Sequence, residues 1–274
     1  MVTEWFIGKE IITAMSVMLV AWPVGIALAL LTQGHLAQAY GWPGVMLACA
    51  VAALLALTVT ASAYRAPAAP GAAVAESLRF GVPLREAVHI SLVGICWACY
   101  NATIIVLPSF GPDALTARGW TITTAQSATS LMLWAMLVSL PLGGRLMEKF
   151  GYITLAITVF LSLATASIVL LFFGVIPAAM FVLFGLTAGV PGGALMALTG
   201  EALSPANRGP GLGIFYTWYY AGVAIAPAAA GWLRDATGNP GMPLLLAGAF
   251  MVATVSCVLL LRILQARWPI SKAA

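Results

Sequence analysis

The sequence predicts an all-α integral membrane protein with eight transmembrane helices. Apolar residues make up 62% of the 274-residue chain and charged residues only 7%, whereas a typical soluble domain carries roughly 25% charged residues. Apolar runs of helix length recur from near the start of the chain to near its end. Because so few polar groups cannot cover a water-facing globule, we expect most of the surface to face lipid.

The spans follow from the length that a bilayer demands. A helix needs about 20 mostly apolar residues to cross a hydrocarbon core of about 30 Å. The segments that meet this length are 11–32, 43–63, 87–108, 121–142, 152–173, 175–199, 211–233 and 241–263. An even number of spans places both termini on the same side of the membrane.

Basic residues are divided unequally between the two sets of connections. Arg118 and Arg234 fall on one side of the predicted bundle, and the ten other lysines and arginines fall on the opposite side. Because Lys and Arg concentrate in cytoplasmic loops, we expect a protein of the cell membrane with both termini cytoplasmic. The basic residues are scattered singly, without the patch or stripe that would predict a nucleic-acid partner.

The longest connection divides the predicted helices into two groups. Residues 64–86 contain three prolines, two glycines and three arginines, a composition typical of an interdomain linker. We therefore expect a two-helix segment at 1–63, a cytoplasmic linker at 64–86 and a six-helix bundle at 87–274.

A short motif follows the fourth predicted span. Residues 144–151 read Gly-Arg-Leu-Met-Glu-Lys-Phe-Gly, where the glycines permit a tight turn and the adjacent acid and base can pair with helix ends. This predicted loop resembles the cytoplasmic loop motif of the major facilitator superfamily, in which the loop is associated with gating. The residues to which the resemblance assigns a gating role are Gly144, Leu146, Glu148, Lys149 and Gly151.

Other segments resemble the same family in the same order along the chain. Residues 5–9 are similar to the entry into its fifth helix, and residues 41–42 are similar to the turn into its sixth. Residues 201–209 are similar to the loop between its tenth and eleventh helices, which adds Arg208 to the gating candidates. The resemblance implies helices five to twelve of a twelve-helix transporter: a complete C-terminal six-helix bundle plus two helices of the N-terminal bundle.

The resemblance also implies a function, which is transport of a small solute by alternating access. In such transporters two bundles rock about a site near the membrane midplane. The first four helices of the family have no counterpart in the sequence. Three explanations for the missing helices remain open: a start upstream of Met1, a degenerate product, or a partner chain that supplies them. Of these, we expect a start upstream of Met1.

Aromatic and polar side chains within the spans are the candidates for a solute cavity. Helical spacing places Trp97, Tyr100 and Asn101 on one face, and a side-chain amide in hydrocarbon should face a neighbouring helix or a watery cavity. Tyr216, Tyr219 and Tyr220 share another face, where packing or an interfacial aromatic belt is the alternative. The full set of candidates is Trp22, Trp97, Tyr100, Asn101, Trp134, Tyr216, Tyr219 and Tyr220.

Catalytic, metal and cofactor sites are not predicted. No charged residue lies in the middle of a predicted span, so a coupling ion is compatible with the family but proton coupling through an acid is unsupported. Cys96 and Cys99 lie in an apolar helix with His89 too distant to complete a metal site. The glycine-rich run 189–193 lacks the Lys-Ser/Thr of a phosphate loop and indicates close helix packing or a hinge.

Two other functions remain open beside transport. A membrane-embedded enzyme needs a nucleophile, a base or a metal set, and His35 and His89 supply these poorly without an acid inside a span. A non-transporting scaffold or receptor derived from a transporter would suit a chain that is short by nature. The sequence favours a transporter, not an enzyme, whose partners are the lipid bilayer and a small-molecule solute.

Overall fold

The computed structural model describes residues 11–64 and 81–269, and every regular element in these residues is helical. This confirms the predicted all-α class. The helices are α1 (Ile11–Leu19), α2 (Ala21–Ala63), α3 (Leu84–Thr116), α4 (Ile122–Phe150), α5 (Ile153–Phe172), α6 (Pro177–Gly189), α7 (Gly192–Ala202), α8 (Arg208–Thr237) and α9 (Met242–Arg267), with a 3₁₀ turn at Pro205–Asn207 before α8.

Six segments of the described chain are long and apolar enough to cross a membrane. They are Ala39–Ala63, Leu84–Thr116, Ile122–Phe150, Ile153–Phe172, Pro177–Ala202 and Met242–Arg267. The first predicted span supplies only the shorter apolar helix Ile12–Ile26. The seventh predicted span lies in α8, which is less apolar because Tyr, Thr and Trp occupy residues 216–220.

The first two predicted spans are joined by helical residues instead of a loop. The predicted connection at 33–42 is mostly helical, so that part of the prediction is wrong. The backbone breaks only at Gly41, whose φ of +67° is one that glycine adopts without steric cost. This break coincides with the turn that the family resemblance implies at residues 41–42. Beyond it, no residue of 42–63 is buried, so the rest of the described chain does not cover this half of α2.

Helices α3 to α9 form a bundle around a shared apolar core. The central helix is α3, which packs extensively against α8 and α9 and also contacts α4. The helix α4 packs on α6, and α5 packs against both α6 and α9, which closes the bundle. Consequently α3 is largely buried, whereas α5 and α9 keep much of their apolar surface facing outward.

Glycines let α6 and α7 approach their neighbours closely. A Cβ added at Gly185 would overlap the backbone oxygen of Met132, and one added at Gly189 would overlap the hydroxyl of Ser139, both on α4. The glycine-rich run 189–193 is therefore confirmed as a close-packing segment. Because Pro191 has no amide hydrogen to donate, the run also divides α6 from α7.

Two predicted connections are shorter than expected. Residues 144–150 are the last turns of α4, and the helix ends at Gly151, whose φ of +72° is a common helix-terminating conformation. The prediction of a loop over 144–151 is thus wrong for all but its last residue. Likewise α3 begins at Leu84, so residues 84–86 of the predicted linker are helical.

Candidate functional site

One end of the bundle carries most of its arginines and lysines, and it is termed the basic end. Hydrogen bonds gather the start of α3, the end of α9 and the start of α8 there: Arg85 donates to the backbone oxygen of Pro269 at 2.7 Å, and Asn207 donates to Glu86 at 3.0 Å. The basic residues at this end are Arg85, Arg145, Lys149, Arg208, Arg262 and Arg267.

At the basic end, Glu148 binds the first turn of α1. Its Oε1 atom accepts hydrogen bonds from the backbone amides of Ile12 and Thr13 at 2.9 and 3.0 Å. Its Oε2 atom accepts a 2.5 Å hydrogen bond from the Thr13 hydroxyl. The first amides of a helix have no partner inside the helix and carry its positive dipole end, so a carboxylate satisfies them and is itself stabilised. The contact joins residues about 135 positions apart.

The same end of α1 packs against glycines on two other helices. The fully buried side chain of Ser16 lies between Gly144 on α4 and Gly193 on α7. A Cβ at Gly144 would lie 2.6 Å from the Ser16 hydroxyl oxygen, and a Cβ at Gly193 would overlap that oxygen and lie 2.8 Å from the backbone oxygen of Ile12. Only residues without a side chain therefore allow α1 to sit this close.

The predicted gating residues divide into two groups. Gly144 and Glu148 contact α1 directly, as the preceding geometry shows. Leu146 is exposed, Lys149 lies over the ring of Phe150 at 5.7 Å, and Gly151 ends α4. The exposed Arg208 begins α8. The structure thus brings two of the six candidates together against α1 and leaves the others on the surface of the basic end.

Three of the predicted cavity residues are buried inside the bundle. The rings of Trp97 and Tyr100 stack with centroids 5.4 Å apart. The Tyr100 hydroxyl donates to the backbone oxygen of Ala188 at 2.9 Å, which joins α3 to α6. Asn101 donates to the backbone oxygen of Trp97 at 2.8 Å. The Tyr100 contact is between helices, whereas the Asn101 amide bonds its own helix.

The three tyrosines of α8 form a continuous aromatic surface. The rings of Tyr216 and Tyr220 stack with centroids 5.9 Å apart, and the Tyr219 ring lies 4.8 Å from that of Tyr220. Exposure reaches 38% for Tyr216 and 63% for Tyr220. The remaining candidates, Trp22 on α2 and Trp134 on α4, are also exposed. The predicted shared face is confirmed for the tyrosines, which contact one another.

Two polar clusters at the basic end were not among the predicted site residues. Arg262 on α9 forms an ion pair with Glu201 on α7 and donates to the Thr154 hydroxyl of α5 at 2.8 Å. The buried carboxylate of Glu86 accepts hydrogen bonds from the amide and hydroxyl of Ser204 at 3.1 and 3.2 Å. Their sequence signal is weak, since each is a single charged residue near a helix end, and its partners are distant along the chain.

The opposite end of the bundle has an ion cluster of its own. Arg234 on α8 forms 3.0 Å ion pairs with Asp113 on α3 and with the adjacent Asp235. The hydrogen bond to Asp235 is the main cause that raises the pKa of Arg234 above its ordinary value, so its guanidinium remains charged. Asp113 and Arg234 line an open depression of about 690 Å³. These groups connect α3 to α8 at the end away from α1.

The candidate site consists of a helix contact and an aromatic surface. Within residues 11–64 and 81–269, no three His, Cys, Asp or Glu side chains cluster as a metal site would require. What the residues do form is a contact between α1 and the bundle, held by one carboxylate and two glycines, and an exposed tyrosine surface on α8.

The comparisons with known proteins agree with this architecture. The family model described as Major Facilitator Superfamily matches residues 92–273, about two thirds of the chain. The match extends from the third turn of α3 through the end of α9, and it includes Gly144, Glu148 and the α8 tyrosines. A comparison with curated proteins found no match. The matched family consists of membrane transporters, which are typically not enzymes. The chain belongs to the Major Facilitator Superfamily.

Proposed function

We propose that the protein moves a small solute across a membrane by alternating access. The observation that carries the proposal is the docking of α1 on α4 and α7 through Glu148, Gly144 and Gly193. In alternating access a central site opens to one side at a time as two helix groups rock. The docked α1 would close the site at the basic end, and its release would open that end.

The basic end is proposed to face the cytoplasm, with both termini on that side. Ten of the twelve basic residues fall on this side in the span assignment, and cytoplasmic loops concentrate such residues. We further propose that α8, and α1 with the first half of α2, also cross the bilayer. This gives eight transmembrane helices. Six belong to a complete C-terminal bundle, α3 to α9 with α6 and α7 counted as one span, and two belong to the N-terminal bundle.

The solute is proposed to contact the tyrosine surface of α8. Tyr216 and Tyr220 offer exposed ring faces and hydroxyl groups, and a helix interrupted by such residues is a poor lipid-facing element but a good cavity wall. Trp22 and Trp134 are proposed as further lining residues. Trp97, Tyr100 and Asn101 would support the wall from inside the bundle. Leu146, Lys149, Gly151 and Arg208 are proposed to take part in gating because they lie at the basic end, which opens when α1 is released.

The test is uptake by vesicles that contain the purified protein. Proteoliposomes are incubated in a cell extract and washed, and their contents are identified by untargeted mass spectrometry. Vesicles with native protein should accumulate at least one solute that protein-free vesicles lack. Gly193→Ala should abolish the accumulation, because its Cβ would prevent α1 from docking.

The matched control is Gly200→Ala on the same helix, where an added Cβ meets no atom within 4 Å. Accumulation should survive this change. If native and protein-free vesicles have the same contents, transport by this chain is wrong. If Gly193→Ala vesicles accumulate the solute as native vesicles do, the docking of α1 does not gate transport. If transport by this chain is wrong, we would assign it the function of a non-transporting scaffold instead.

A further inference from the structure

A groove between α3 and α9 opens on the outer surface of the bundle at its basic end. It encloses about 410 Å³. Its walls are almost wholly apolar: Leu84, Val88 and Ile95 line it on α3 and Leu260 and Leu264 on α9, with Ser91 as a polar exception. In a membrane protein an outward-facing apolar groove is in contact with lipid chains.

The length of the groove matches one leaflet of a bilayer. From Leu84 to Ile95 the helix rises about 16 Å at about 1.5 Å per residue. A leaflet contributes about half of a hydrocarbon core that is about 30 Å thick. A single acyl chain that starts at the basic end would therefore fill the groove to about the membrane midplane.

Two arginines stand at the mouth of the groove. Arg267 follows Leu260 and Leu264 by seven and three residues, so helical spacing places it on the groove-lining face of α9. Arg85 follows Leu84, and its guanidinium lies 5.2 Å from the ring centre of Trp268 while it donates to Pro269 at 2.7 Å. These contacts hold the Arg85 charge beside the end of α9, and Trp268 marks the headgroup level.

The carboxylate of Glu86, which is adjacent to Arg85 in the chain, does not neutralise the charge at the mouth. Glu86 is buried and accepts its hydrogen bonds from Ser204 and Asn207. Helical spacing from Leu84 and Val88 places Glu86 on the opposite side of α3 from the groove. Among the described residues that line the groove, none is acidic.

We propose that this groove is a binding site for an anionic phospholipid of the leaflet at the basic end. The acyl chain lies between α3 and α9, and Arg85 and Arg267 bind the phosphate. Guanidinium groups form paired, charge-assisted hydrogen bonds with phosphate oxygens. A zwitterionic lipid offers the same chain, but its own cation offsets the phosphate charge. The site therefore selects for net negative headgroups, independently of whether the protein transports a solute.

The test is lipid competition on the full chain in detergent, measured by native mass spectrometry. The probes are equimolar palmitoyl-oleoyl phosphatidylglycerol and palmitoyl-oleoyl phosphatidylcholine, which share their acyl chains. Native protein should prefer phosphatidylglycerol. Arg267→Gln should reduce that preference about fivefold, the contribution expected of one arginine near a membrane surface. Arg267→Lys should retain most of it because the charge remains.

A second variant tests the groove itself. Ala87 lines the groove, so Ala87→Phe should fill it and reduce binding of both lipids. The matched control is Ala166→Phe on the exposed surface of α5, which should leave binding unchanged. Melting temperatures measured without added lipid show that each variant is folded. Equal binding of the two lipids to native protein, or an unchanged preference in Arg267→Gln, would overturn the proposal.

Discussion

Thr13 and Glu148 meet at the start of α1, where the threonine donates both its amide and its hydroxyl to the one carboxylate, at 3.0 and 2.5 Å. The glutamate comes from the last turns of α4, so the bond joins the first described helix to the family bundle. Because the carboxylate also accepts the amide of Ile12, it caps α1 while fixing its position. Helix capping and helix docking are thus the same interaction at this end of the protein.

Glu148→Gln should weaken the docking of α1. The amide keeps one acceptor oxygen but loses the charge that interacts with the helix dipole, at a cost of about 1 kcal/mol. Met15 lies on α1 and is buried in the docked position, so a cysteine in its place reports on this change. Labelling of that cysteine by N-ethylmaleimide, quantified on its peptide, should become about fivefold faster. Asp235→Asn at the opposite end is the control and should leave the rate unaltered. An unaltered rate in Glu148→Gln would show that the carboxylate does not hold α1.

Gly193→Ala should prevent docking more completely than Glu148→Gln. The added Cβ meets the Ser16 hydroxyl and the backbone oxygen of Ile12, and a backbone atom cannot move aside as a side chain can. Overpacking of this kind costs about 1–3 kcal/mol. The Met15→Cys reporter should label faster in Gly193→Ala and normally in Gly200→Ala. Equal labelling in these two variants would mean that α1 tolerates a larger separation from α7.

Tyr100→Phe and Tyr220→Phe should separate packing from solute contact. Removal of the Tyr100 hydroxyl breaks its bond to Ala188 and should lower the free energy of unfolding by about 1 kcal/mol. Tyr220 is 63% exposed, so Tyr220→Phe should change stability by less than about 0.5 kcal/mol while lowering uptake. Denaturation in mixed micelles and vesicle uptake measure the two effects. A loss of stability in Tyr220→Phe without a loss of uptake would reverse the assignment.

Arg262 and Glu201 should stabilise the basic end as a coupled pair. Each of Arg262→Gln and Glu201→Gln breaks the same ion pair. The double variant should therefore lose less stability than the two single variants together. The difference should be about 1 kcal/mol, because contacting charged groups are not additive and these two are partly exposed. Unfolding in mixed micelles gives all three values. Strict additivity would show that the pair contributes nothing to stability.

The membrane character and the helical order could be predicted from the sequence, because both depend on local composition. Apolar runs of sufficient length have no stable alternative to a helix in lipid, and the structure has helices in all the predicted spans. Helix ends were less predictable. Residues 33–40 and 144–150 were assigned to connections because they contain polar residues and glycines, yet both continue a helix. Polar residues at the end of a span do not prevent a helix from continuing into the interface.

The sequence by itself determined that this is a helical membrane protein, and its motifs indicated the superfamily and the importance of Gly144 and Glu148. Only the tertiary structure decided what those residues contact. Ser16 and Arg262 gave little signal because their contacts are with residues up to 177 positions away along the chain. The physical reason is that hydrophobicity and helix propensity act over a few turns, whereas close packing and buried hydrogen bonds exist only once helices have assembled.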